Sequence, residues 1–277
     1  MGYFRPHDIV DVSLEIVQKK VKNSITNMLI LGILAGAFIA FAAEASTMAV
    51  HDLAPVGFGR FIAGVIFTTG LMLVVVCGAE LFTGNVLILT GILEGTVSIS
   101  SMLRNWFWVY LGNLLGSLLL VYLMYASGLW LYNDGLVGAA VIKIAAVKVN
   151  LTFLQAFTRG ILCNWLVCLA VWISYAAQDI GGKIWGIFFP IMLFITSGFE
   201  HSVANMYYIP AGLLAAQNPE LLELAQLGGL AGKLNLTYTA ANILSVTLGN
   251  IVGGGLFVAV FYWFAFRFRG FQAKEKP

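Results

Sequence analysis

Two stretches of this chain repeat one polar motif inside apolar surroundings. Gly78-Ala79-Glu80, followed by Asn85, recurs 120 residues later as Gly198-Phe199-Glu200, followed by Asn205. Each motif interrupts an apolar run, residues 58–89 and 184–216, that is too long for one simple helix. A carboxylate at membrane depth is expensive unless protein buries it or a polar path meets it. The glycines therefore mark breaks: a half-helix, an irregular turn, a second half-helix. Backbone leaves the helix at that depth only where protein or a cavity covers it. Paired interruptions at corresponding places in two halves point to a substrate site near the midplane.

The rest of the sequence fits a membrane protein. Of 277 residues, 60% are apolar and only 10% charged, with thirty glycines available for close helix contacts. Six apolar segments, at 25–49, 58–89, 105–130, 153–175, 184–216 and 238–266, each reach the roughly 20 residues a bilayer requires. An amphipathic helix is expected at 1–24, a six-helix transmembrane domain at 25–268 and a basic tail at 269–277. A net charge of +2 gives no reason to expect a nucleic-acid partner. There is no metal-ligand cluster, nucleotide fingerprint or nucleophile arrangement, so no metal, cofactor or enzymatic activity is expected. Cys77, Cys163 and Cys168 read as small packing residues.

The other segments pair as well. Gly32 to Gly36 resembles Gly160 to Asn164 at an offset of 128, and Asn105, Gly112, Asn113 and Gly116 match Asn242, Gly249, Asn250 and Gly253 at 137. Repeat one (25–130) is thus echoed by repeat two (153–266). With three spans each, the two units enter the membrane from opposite sides, which makes an inverted repeat. With the N-terminus inside, ten of the fifteen basic residues fall on the inner side, so both termini are expected in the cytoplasm.

Gly78, Glu80, Gly198 and Glu200 read first as structural: each carboxylate can accept N–H groups freed by its break. His201 has no counterpart, since Leu81 holds the matching position. A central histidine can donate hydrogen bonds to an anion or pass it a proton. Thr83 is expected to face His201 across the midplane. Asn164 and Asn205 line that centre or bridge helices. Phe67, Leu71 and Phe194 are ordinary membrane residues unless the breaks line a pore; they then form apolar constrictions. Lys148 is a loop lysine, or it concentrates anions at the outer mouth.

The stretches Cys77 to Asn85, Gly198 to Met206, Asn164 to Trp172 and Gly249 to Gly254, with Lys148, resemble the formate/nitrite transporter family over nearly the whole chain. The resemblance implies an aquaporin-like all-α fold with broken second and fifth helices. It implies a homopentamer in the inner (cytoplasmic) membrane and one pore per protomer for a small monovalent anion. It makes Thr83, His201, Asn164 and Asn205 the pore centre, and Phe67, Leu71 and Phe194 the constrictions. Leu81 and Phe82 would belong to a gating loop, and Lys148 would attract the substrate. Formate-type members carry Ser-Thr where this chain has Gly84-Asn85, and that departure puts hydrosulfide ahead of formate, with nitrite also open. A proton-linked transporter with alternating access and a water or neutral-solute pore are the alternatives.

Overall fold

The computed structural model describes residues 2–268, so the tail expected at 269–277 lies outside the described residues. Those residues are helical almost throughout. α1 (Asp8–Lys22) has Asp8 and Asp11 in its first turn and Lys19, Lys20 and Lys22 in its last, each sign at the end the helix dipole favours. Its buried face, Ile9, Val10, Leu14 and Val17, packs under the bundle. α2 (Ile25–Val50) starts at Ser24, whose Oγ accepts from the Asn27 N–H at 3.2 Å. α3 (Val56–Cys77) ends at Gly78, whose φ of 81° stops the helix. After the break come α4 (Phe82–Asn85), a 3-10 turn (Val86–Ile88) and α5 (Leu89–Leu93). α6 (Ile99–Ser127) begins six residues before the expected 105, because Ser98 caps it.

The second half repeats this order. α7 (Leu136–Val149), which the hydrophobic pattern did not reveal, holds the place of α1. α8 (Phe153–Ala176) opens with a capping box between Thr152 and Gln155. α9 (Ile180–Thr196) runs to Gly198, at φ 74°, and α10 (Ser202–Ala215) resumes beyond the second break. α11 (Pro219–Leu224) has Pro219 in its first turn, where the missing N–H costs no hydrogen bond. α12 (Leu236–Gly254) continues through a π-helical turn (Gly255–Val260) into α13 (Phe261–Arg267). Five of these stretches are long and apolar enough to cross a membrane. α9, with 17 residues, is shorter and continues across its break into α10.

Glycine sets how the two halves pack. A Cβ on Gly36 would lie 2.1 Å from Asn113 O, and one on Gly116 would lie 2.0 Å from Ile33 O, so α2 and α6 touch backbone to backbone. The counterpart pair α8 and α12 does the same: Gly249 would meet Phe157 O at 2.1 Å, and Gly253 would meet Ile161 O at 2.2 Å. Gly64 brings α3 against α9, where a Cβ would be 2.8 Å from Met192 O. The two helices that lead into the breaks therefore lie side by side. On the N-terminal face, Arg267 reaches both Asp11 and Glu94 at 3.0 Å, so both ends of the described chain meet there.

Candidate functional site: where two helix breaks meet

The breaks are built alike from corresponding residues. Glu80 N–H donates to Leu31 O at 3.1 Å, and Glu200 N–H donates to Arg159 O at 3.3 Å. Asn113 Oδ1 accepts from Phe82 N–H at 2.9 Å, while its Nδ2 donates to Gly32 O at 2.8 Å and Glu80 O at 2.9 Å. Asn250 Oδ1 accepts from Ser202 N–H at 2.9 Å, while its Nδ2 donates to Gly160 O at 2.8 Å and Glu200 O at 3.1 Å. Each asparagine thus satisfies polar groups that its break leaves unpaired, as burial demands. In the sequence both asparagines stand out only as repeat positions, and this duty shows only in the fold.

The carboxylates are anchored by lysines on the corresponding helices α1 and α7. Lys20 Nζ lies 2.9 Å from Glu80 Oε2, and Lys148 Nζ lies 3.0 Å from Glu200 Oε1. Lys20 and Lys148 stand 128 residues apart, the offset already seen for Gly32 and Gly160. Asn85 Nδ2 donates to Glu80 at 2.6 Å and to Asn105 Oδ1 at 2.9 Å. Asn205 Nδ2 matches it, donating to Glu200 at 2.7 Å and to Asn242 Oδ1 at 2.8 Å. Lys148 also sits 5.2 Å from the centre of the Tyr208 ring. In the sequence Lys20 is indistinct, one of three lysines at the end of an amphipathic helix. The shared offset was the signal that would have found it.

The symmetry fails at one place. His201 Nε2 lies 2.9 Å from Thr83 Oγ1, where the counterparts are Leu81 and Val203. His201 Nδ1 accepts from Ala204 N–H at 3.1 Å, so the ring proton resides on Nε2, toward Thr83. Thr83 is fixed from α8: its carbonyl accepts from Asn164 Nδ2 at 3.1 Å and Cys168 Sγ at 3.3 Å. Asn164 Nδ2 also donates to Asn250 O at 2.7 Å, and Oδ1 of both Asn164 and Asn205 is buried without a hydrogen-bond partner. Of the four residues expected at the pore centre, His201 alone borders the chamber beside it; Thr83 bears on that chamber through its contact with His201, Asn164 through Thr83 and Asn205 through Glu200.

That chamber measures about 10 Å³, and Phe67, Leu71, Leu81, Ile191, Phe194 and His201 wall it. Such a space holds about one water. Phe67 meets Phe194 edge to face with ring centres 5.7 Å apart, and Phe194 stacks on His201 at 6.0 Å. Toward the N-terminal face a larger cavity opens, of about 320 Å³, bordered by Lys20, Lys183, Glu80, Asn85, Leu71 and Leu81. Leu71 and Leu81 border both spaces and therefore form the partition between them. Phe82 points elsewhere: its ring packs against Tyr110 at 4.8 Å and Trp106 at 5.7 Å. The centre can thus offer hydrogen bonds to one small molecule, which must cross apolar walls to reach it.

Comparisons with known proteins agree with this geometry. The family model for formate/nitrite transporters matches residues 7–264. A probable formate transporter of Methanothermobacter thermautotrophicus is 40% identical, over 94% of this chain and 96% of its own. The formate channel FocA of Escherichia coli K12 is 39% identical, over 84% of each chain. A solved pentameric formate channel with formate bound superposes with a TM-score of 0.77 at 37% identity, covering 87% of this chain and 97% of that one. An ion channel of the same family gives a TM-score of 0.79 at 30% identity, covering 93% and 98%. With its inverted repeat, its paired breaks and these relatives, the chain belongs to the formate/nitrite transporter family of multi-pass membrane channels.

Proposed function

We propose that the chain is a channel for small monovalent weak-acid anions, with formate as its main substrate and one pore in each protomer of a homopentamer. The observation that carries this reading is the 2.9 Å contact between His201 and Thr83, set beside an apolar chamber with room for about one water. Formate is favoured over hydrosulfide because the relatives are described as formate channels or a probable formate transporter, and one solved neighbour holds formate. That neighbour's pentameric state supports the same assembly here. The departure at Gly84-Asn85 weighs less than the sequence suggested. The Asn85 amide is bonded to Glu80 and Asn105, and neither residue borders the chamber. The bias of basic residues, with Arg267 joined to Asp11, supports two cytoplasmic termini in the inner membrane.

The mechanism follows from desolvation. Lys148 on the outer side and Lys20 on the inner side are the last cations an anion meets before the apolar walls. A bare ion gains too little from a few hydrogen bonds to offset lost hydration. At the centre Thr83 and His201 replace water: His201 keeps its Nε2 proton and donates it as a hydrogen bond to the substrate oxygen, while the proton that makes the crossing species a neutral acid comes from solvent with the anion. Leu71 and Leu81 must part for passage, which gives the Leu81 loop its gating role. Uptake of formate, hydrosulfide and nitrite into proteoliposomes, measured in parallel, tests the assignment. Formate is expected to enter fastest; faster entry of hydrosulfide or nitrite refutes formate as the main substrate.

A further inference from the structure

We propose that two cations outside the break-holding ion pairs, Arg60 on α3 and Lys183 on α9, collect the anion from solution, one at each mouth of the pore. The inference rests on the anion-channel reading above. Lys20 and Lys148 are poor long-range collectors, because each is bound to a carboxylate, at 2.9 Å and 3.0 Å. A salt-bridged pair is nearly neutral beyond a few ångströms. Arg60 and Lys183 form no ion pair among the described residues.

Their positions are reciprocal. α3 and α9 are counterparts, and each carries its cation within its first five residues. Arg60 of α3 sits over the break that ends α9: a Cβ on Gly198 would lie 3.5 Å from Arg60 Nη1. Lys183 of α9 borders the 320 Å³ cavity that also exposes Gly78, the glycine ending α3. Arg60 is exposed and Lys183 half-buried. So each entering helix places one uncompensated positive charge beside the other helix's break. Low-dielectric walls around such a charge focus its field and raise the local anion concentration.

A purely structural role, with the two side chains anchoring helix ends at the membrane surface, predicts different behaviour, and flux measurements distinguish the two. Initial formate uptake at sub-saturating concentration is measured in right-side-out and inside-out membrane vesicles. It is read at about 0.01 M salt, where screening extends over about 30 Å, and at about 1 M, where it falls to about 3 Å. Arg60→Gln is expected to slow uptake about twofold at low salt in right-side-out vesicles, the effect of one unit charge about 10 Å from the path in water. The deficit should vanish at high salt and at saturating formate. Arg60→Glu should slow it further, and Arg60→Lys should restore it. Lys183→Gln should act in the same way in inside-out vesicles. Equal low-salt uptake by Arg60→Gln and the wild type would overturn the proposal. So would a deficit that salt leaves unchanged and Arg60→Lys fails to repair. Wild-type vesicles that take up no formate would instead overturn the channel reading itself, and this inference with it.

Discussion

Tyr110 Oη lies 2.9 Å from Thr247 Oγ1, and each residue is the counterpart of the other under the 137-residue repeat. Two counterparts that touch must straddle the axis relating the halves. The pseudo-two-fold axis therefore passes between α6 and α12 at this bond. Residues related by the axis should respond alike to substitution, while Thr83 and His201, whose counterparts are apolar, should not.

The asparagine clamps give the first expectation. Asn113→Ala and Asn250→Ala each remove three hydrogen bonds that hold a break. At about 1 kcal/mol per bond, each variant should lose roughly 3 kcal/mol. Thermal unfolding of the detergent-purified protein should show two similar losses. A large loss in one and none in the other would contradict the equivalence of the breaks.

The buried ion pairs give the second. Removing one partner of such a pair costs about 3–5 kcal/mol, because the other charge is left buried alone. Glu200→Ala and Lys148→Ala should each destabilise strongly, and the double variant by much less than their sum. A double-mutant cycle read by thermal unfolding checks this; strict additivity would mean that Lys148 and Glu200 do not hold each other.

Gly116 and Gly253 give the third. A methyl on either would lie within 2.2 Å of a carbonyl oxygen, Ile33 O or Ile161 O. Gly116→Ala and Gly253→Ala should each push a helix pair apart and cost about 1–3 kcal/mol. Gly57 has nothing within 4 Å of the same position. Gly57→Ala should therefore leave the melting temperature unchanged or slightly raised, which thermal unfolding of all three variants checks.

Leu71 concerns selectivity. Because it borders both the chamber and the larger cavity, Leu71→Ala should widen the partition, speed formate flux several-fold and admit acetate or lactate. Flux assays with the three acids test this. Unchanged exclusion of lactate would mean that the barrier lies elsewhere.

Much of the architecture was legible because polar residues are rare in an apolar chain. Glu80 and Glu200, with Asn85 and Asn205 at one offset, exposed both breaks and the repeat. The Thr83–His201 meeting followed from inversion of the two halves. What escaped depends on direction rather than spacing. α7 is apolar on nearly all sides, with Val137, Ile142 and Ala145 buried, so it showed no amphipathic stripe. Lys20 meets Glu80 across 60 residues of chain, a distance that only the fold closes. Phe82 and Leu81 are neighbours, yet one ring packs into the scaffold and the other side chain faces the chamber. Sequence adjacency at a helix break does not assign a face. The π-helical turn at Gly255–Val260 follows two glycines, and it left no signal beyond them.

In the proposed mechanism, substrate crosses at His201 together with a proton. Formate uptake into proteoliposomes loaded with a pH-sensitive dye, for the wild type and His201→Phe at two external pH values, tests it most directly. Wild-type uptake should be accompanied by internal acidification and quicken at the lower pH, and His201→Phe should lose both effects while remaining folded. Uptake with the same pH dependence and the same acidification in His201→Phe would contradict it.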